Sequence, residues 1–123
     1  MGMVGADNNA GSFIFAECLY TAASVDIVVF VANRSVRVNT IIARITAAGT
    51  DAGAATAVLR KVPSGTAMAA GTVLHSGSVN LKGTADTNQQ LTISTTASDM
   101  VLAAGDALVV DFTGVLSSAT GII

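Results

Sequence analysis

Apolar positions recur along the chain in short segments, at 13–20, 25–32, 36–46, 54–62, 72–74, 79–81, 90–94, 100–102, 107–112 and 121–123. Many short apolar segments separated by turn signals are the pattern of an all-β sandwich or barrel. The period is clearest near the C-terminus, where Leu108, Val110 and Phe112 share one parity and Asp111 and Thr113 take the other. A half-buried strand requires that alternation, because successive side chains leave opposite faces. Val79 and Leu81 against Asn80 and Lys82, and Leu91 and Ile93 against Thr92 and Ser94, repeat it. Between Val36 and Ile45 the parity changes: Val36 and Val38 are even, whereas Ile41, Ala43 and Ile45 are odd. A one-residue slip of this kind predicts a bulge or bend near Asn39 and Thr40.

The segments between strands carry turn chemistry. Gly49, Asp51 and Gly53, then Pro63 and Gly65, then Gly83 and Asp86, then Gly105 and Asp106 supply glycine for positive φ, or Asp and Pro for fixed turns. Helix fits only two stretches: 54–61, following an Asp51 cap, and a single turn at 67–70. The second is preferred, since Val58, Leu59 and Val62 suit a strand equally well. The first dozen residues, with Gly2, Gly5, Asn8, Asn9 and Gly11, lack apolar periodicity and read as an extended N-terminal arm, 1–12, preceding one β-sandwich domain, 13–123. No fixed-period repeat and no linker divides the chain.

Composition sharpens this picture. Apolar residues make up 51% and charged residues 11%, roughly half the charged share of an ordinary soluble domain. Apolar surface is therefore expected to remain after folding, for a membrane or another protein to cover. The longest strongly apolar run, 27–32, falls far short of the roughly 18 residues that span lipid, so no membrane partner is expected. The N-terminal stretch has neither a basic n-region nor an apolar h-region, which predicts synthesis in a cytoplasm. Net charge is −2, and the six cations, Arg34, Arg37, Arg44, Arg60, Lys61 and Lys82, are scattered. Phosphate backbones are bound by clustered cations, so no nucleic-acid partner is expected.

The raw material for catalysis is thin. An active site needs several titratable groups in one pocket. Here there is one histidine, His75, and one cysteine, Cys18. Neither a two-histidine metal site nor an intrachain disulfide can form, and Cys18 reads as a small core hydrophobe. A Ser-His-Asp triad would have to form around His75 and Ser76 within a short strand; the simpler reading of His75 is a partly exposed strand residue. Asp26, Asp51, Asp86, Asp99, Asp106 and Asp111 read mostly as turn caps. A calcium site would have to be shared by the Asp51 and Asp86 loops or by two subunits. Gly-rich stretches lack a phosphate-loop lysine, and with aromatics at 4% and no tryptophan there is no stacking platform. Phe13, Phe15, Phe30 and Phe112 are assigned to the core. The chain is read as no enzyme, with no catalytic, cofactor-binding or metal-binding residue and no cofactor.

Five phrases carry a resemblance: RSVRV at 34–38, AAGTDAGA at 47–54, SGTAMAAGTVL at 64–74, LKGTADT at 81–87 and LAAGDALVVDFTG at 102–114. Together they resemble the capsid decoration, or cement, proteins of tailed bacteriophages. The resemblance implies an antiparallel β-sandwich, jelly-roll-like, that sits as a homotrimer on the outer surface of the virion capsid, bound to the major capsid protein, after assembly in the host cytoplasm. It carries over no catalytic residue. In such proteins the last strand runs on past a Gly-Ile or Gly-Val step, so a closing strand ending at Ile123 is expected to be short or completed by a neighbour. Two other readings stand beside it: a phage tail, fibre or spike module, and a small carbohydrate- or calcium-binding β-sandwich.

Overall fold

The computed structural model describes the backbone of residues 2–8, 11–22 and 25–123 and the side chains of residues 16–22 and 25–123. Its strands are β1 (Gly2–Asn8), β2 (Gly11–Glu17), β3 (Leu19–Tyr20), β4 (Ile27–Val31), β5 (Val36–Arg37), β6 (Ile42–Ala47), β7 (Thr56–Val62), β8 (Thr72–Val73), β9 (Val79–Asn80), β10 (Thr87–Gln90), β11 (Val101–Leu102), β12 (Ala107–Thr113) and β13 (Thr120–Ile122). The chain is all-β: among the described residues the only helical turn is a 3-10 turn at Met68–Ala70. The expected turn at 67–70 is thus present. The segment 54–61 is mostly strand β7, because Ala55, Ala57 and Leu59 alternate into the core. Asp51 caps no helix; its carboxylate accepts from Gly53 N at 3.2 Å, closing a local turn.

Every strand pair is antiparallel. One sheet has the order β10-β6-β13-β3 and another β4-β12-β7-β8, with β9 also on β7. A small pair, β11-β5, and a ribbon, β1-β2, complete the set. The two larger sheets face each other in a sandwich-like arrangement. Tyr20 of the first meets Phe112 of the second, ring centroids 5.8 Å apart, among the buried Ile45, Leu59, Val110 and Leu81.

The closing strand is short, as expected, yet it lies inside its sheet. Gly121 pairs with Tyr20 on one side and Ile45 on the other, and Cys18 and Ile123 exchange backbone hydrogen bonds of 2.8 and 2.9 Å. A side chain at Gly121 would meet the Arg44 carbonyl and, at 2.5 Å, the Tyr20 hydroxyl oxygen. The glycine is what lets the Tyr20 ring lie across the middle strand.

The parity change at Asn39 and Thr40 marks the place where the chain leaves β5, paired with β11, and enters β6 in the first sheet. Val36 and Val38 are half-buried before it; Ile41, Ala43 and Ile45 are buried after it. Ladder shifts proper occur at Leu108/Val109 and at Thr120/Gly121. One face expected to be open is partly covered: Val109, on the opposite parity from Leu108 and Val110, is fully buried, because the 3-10 turn packs over β12 and β7. Beside it the Arg60 guanidinium pairs with Asp111 at 2.7 Å and donates to the Gly71 carbonyl at 3.0 Å.

Of the arm read at 1–12, residues 2–8 pair with 11–17 as the antiparallel β1-β2 ribbon, and residue 12 lies within β2. Met1, Asn9 and Ala10 lie outside the described residues, as do the Phe13 and Phe15 side chains assigned to the core. Phe30 and Phe112 are half-buried against the core.

Candidate functional site

An apolar groove of about 580 Å³ lies beside β4, the end strand of its sheet. Its floor is Val29, Leu59, Leu108 and Val110, inward-facing residues of β4, β7 and β12. Its wall is the stretch from Arg34 to Ile42, which crosses between sheets at the parity change and brings Val36, Val38 and Ile41 against the floor. Ala16 and Ile123 close the side toward β3. The groove exists because β5 pairs with β11 and with neither main sheet, so the crossing segment stands off the inner face of β4 and β12.

Arg34 and Arg37 line this groove. Both are exposed, and neither forms an ion pair with a described residue. The exposed large aliphatic side chains among the described residues are Leu19, 60% exposed, on β3, Val28 and Val31, 43% and 60%, on β4, Val25 and Val115 outside the strands, and Ile42, 47%, which lies on the groove itself. Sequence reasoning anticipated surplus apolar surface but singled out none of these residues. The parity slip at Asn39 and Thr40 was the available signal, since it marks the segment that walls the groove.

The chemical candidates are engaged elsewhere. His75 is buried, 6% exposed, and not the partly exposed residue expected. Its Nε2 accepts the Leu59 amide at 2.9 Å, while Nδ1 lies 3.2 Å from the Ser76 carbonyl. Burial holds the imidazole below its usual value, against the opposing effect of the Ser76 and Gly77 backbone and with some help from the Arg60 charge. With Nε2 accepting, the ring is neutral, its proton on Nδ1. The Ser76 hydroxyl donates to the Thr92 carbonyl at 3.5 Å, not to His75. Cys18 is buried, and burial pushes its thiol up, away from the reactive thiolate.

Asp106 caps a local turn as expected, accepting from Ala103 N at 2.9 Å, whereas Asp26, the residue before β4, accepts from the distant Phe112 N of β12 at 3.0 Å. Asp99 instead takes the Ser94 hydroxyl at 2.8 Å. In the Asp51 loop the carbonyls of Asp51 and Gly53 accept from the Lys82 ammonium, at 2.5 and 3.1 Å. Among the described residues no three His, Cys, Asp or Glu side chains cluster as metal ligands, and no helix is long and apolar enough to cross a membrane.

An apolar trough flanked by two guanidinium groups has the chemistry to hold an extended apolar segment carrying carboxylates. Comparison with known proteins finds no matching family model, no matching curated protein and no matching solved structure.

Proposed function

We propose that this chain is a structural protein of the virion, a decoration or cement protein that binds the outer surface of a phage head as a homotrimer, contacts the major capsid protein and stabilises the shell. The observation that carries the reading is the set of exposed aliphatic side chains, Leu19, Val28 and Val31, on the end strands of both sheets of a domain with 11% charged residues. Unpaired apolar edges attract further strands or chains, and exposed apolar patches usually mark association sites.

The strand order β3-β13-β6-β10 alternates early and late strands, and β4-β12-β7-β8 sets a late strand between two earlier ones, which supports the jelly-roll-like form of the sandwich. The resemblance of residues 34–123 to decoration proteins supports the same class. Residues 1–12, as an arm, serve association in this reading. Decoration acts by mass action: a chain that binds the assembled lattice and not its separated subunits shifts the equilibrium toward the lattice.

The test is co-sedimentation of the purified chain with heads of the phage that encodes it, assembled without this protein, followed by heating of the decorated and bare heads. Saturable binding of many copies per head, with a raised disruption temperature, supports the proposal. No binding to heads, or labelling confined to tails on intact particles, overturns it.

A further inference from the structure

We propose that the β1-β2 ribbon of one copy lies in the apolar groove of a second copy, with the Arg34 and Arg37 guanidinium groups facing the ribbon's carboxylates. The inference rests on the homo-oligomer of the proposed function and names its contact. Strands of seven residues make the ribbon about 23 Å long. An isolated two-stranded ribbon is marginal in water and needs a surface to pack on, and β1 and β2 form a two-stranded sheet of their own. The register sets Val4 opposite Phe15 and Ala6 opposite Phe13, so apolar residue types occupy paired positions along the ribbon.

Charge separates the two surfaces in the right sense. Residues 1–33 contain Asp7, Glu17 and Asp26 and no Lys or Arg, whereas residues 34–50 contain Arg34, Arg37 and Arg44 and no Asp or Glu. Ribbon and groove wall are thus complementary within one sequence, and opposite potentials across an interface favour the right partner and register.

Distance is also favourable. Ala16, at the foot of the ribbon, lines the groove of its own chain, so ribbons exchanged between copies packed along this side have little space to cross. Val28 and Val31 belong to β4, the strand that also supplies Val29 and Phe30 to the groove lining, and are exposed there. Ribbon into groove is a head-to-tail contact between different surfaces, which closes into a ring when the rotation allows. A three-membered ring is the closed form that matches the proposed trimer.

Light scattering on the full chain, with Arg34→Glu/Arg37→Glu and with residues 2–15 deleted, tests this. Far-UV circular dichroism and a melting curve confirm that each variant keeps its sheets; Arg34→Gln/Arg37→Gln replaces the charge reversal if it does not fold. The expected result is an oligomer for the unaltered chain and monomers for the deletion and the charge variant at the same concentration, with the dissociation constant raised at least tenfold. Oligomers that survive both changes overturn the inference. So does a deletion variant that stays oligomeric but melts earlier, which is the signature of a ribbon seated on its own chain. Head binding by a monomeric unaltered chain overturns this contact while leaving decoration standing; an oligomer lost in the variants that binds no heads supports the contact and overturns decoration.

Discussion

Replacing Tyr20 by Phe is expected to stabilise the protein, although it deletes a polar group from the middle of the core. Tyr20 is 1% exposed, and its hydroxyl has no hydrogen-bond partner among the described residues. The ring packs against Phe112 and over Gly121, contacts that phenylalanine keeps. Burying a hydroxyl without a partner forfeits its bonds to water, which costs about 1–3 kcal/mol, and removing the group recovers most of that. For a chain of this size the gain corresponds to a rise in melting temperature of roughly 2–8 °C per kcal/mol. A second signature follows from titration. Burial pushes the Tyr20 phenol up to about 12, from an ordinary 10. The unfolded chain releases this proton first, so the stability that the neutral phenol contributes is intact below pH 10 and is lost as pH rises toward 12. The difference is about two pH units, roughly 3 kcal/mol by linkage. Chemical denaturation at pH 7 and at pH 11 measures both effects: Tyr20→Phe should be more stable at pH 7, and its advantage should widen at pH 11. A Tyr20→Phe protein less stable than its parent by 1 kcal/mol or more, with no widening at high pH, would refute the reasoning by revealing a partner for the hydroxyl.

Other perturbations have signs set by the same packing. Gly121→Ala should destabilise by about 3 kcal/mol or more, since its methyl group meets the Arg44 carbonyl and the Tyr20 hydroxyl in the middle of a sheet; a melting temperature within a few degrees of the parent would contradict the close approach. His75, held below its usual value by burial, contributes stability that is present above about pH 6.5 and falls away as pH drops. The Leu59 amide loses its acceptor when Nε2 is protonated. Denaturation midpoints from pH 7 to pH 5 should therefore fall more steeply in the parent than in His75→Gln, and parallel slopes would show that His75 is not responsible. Gly114→Ala forces an L side chain to φ 91° and onto the Ala54 carbonyl, and should lower soluble yield together with melting temperature.

The alternation of Leu108, Val110 and Phe112 against Asp111 and Thr113 was enough to predict β12, because a pleated strand with one buried face leaves that period in any sequence. The slip at Asn39 and Thr40 predicted a bulge or bend; the structure shows that the chain there passes from the β5–β11 pair to β6, a step that changes which parity faces inward. Composition announced surplus apolar surface, for burial of 51% apolar residues in so short a chain is incomplete. Pairing partners were not legible. Nothing local says that β13 inserts between β3 and β6, because that depends on contacts across about a hundred residues. For the same reason the covering of Val109 by the 3-10 turn, the burial of His75 against the Leu59 amide, and the meeting of Arg34 and Arg37 with the floor of the groove were decided only in three dimensions. Sequence periodicity records which face of a strand is buried; what buries it is chosen by the topology.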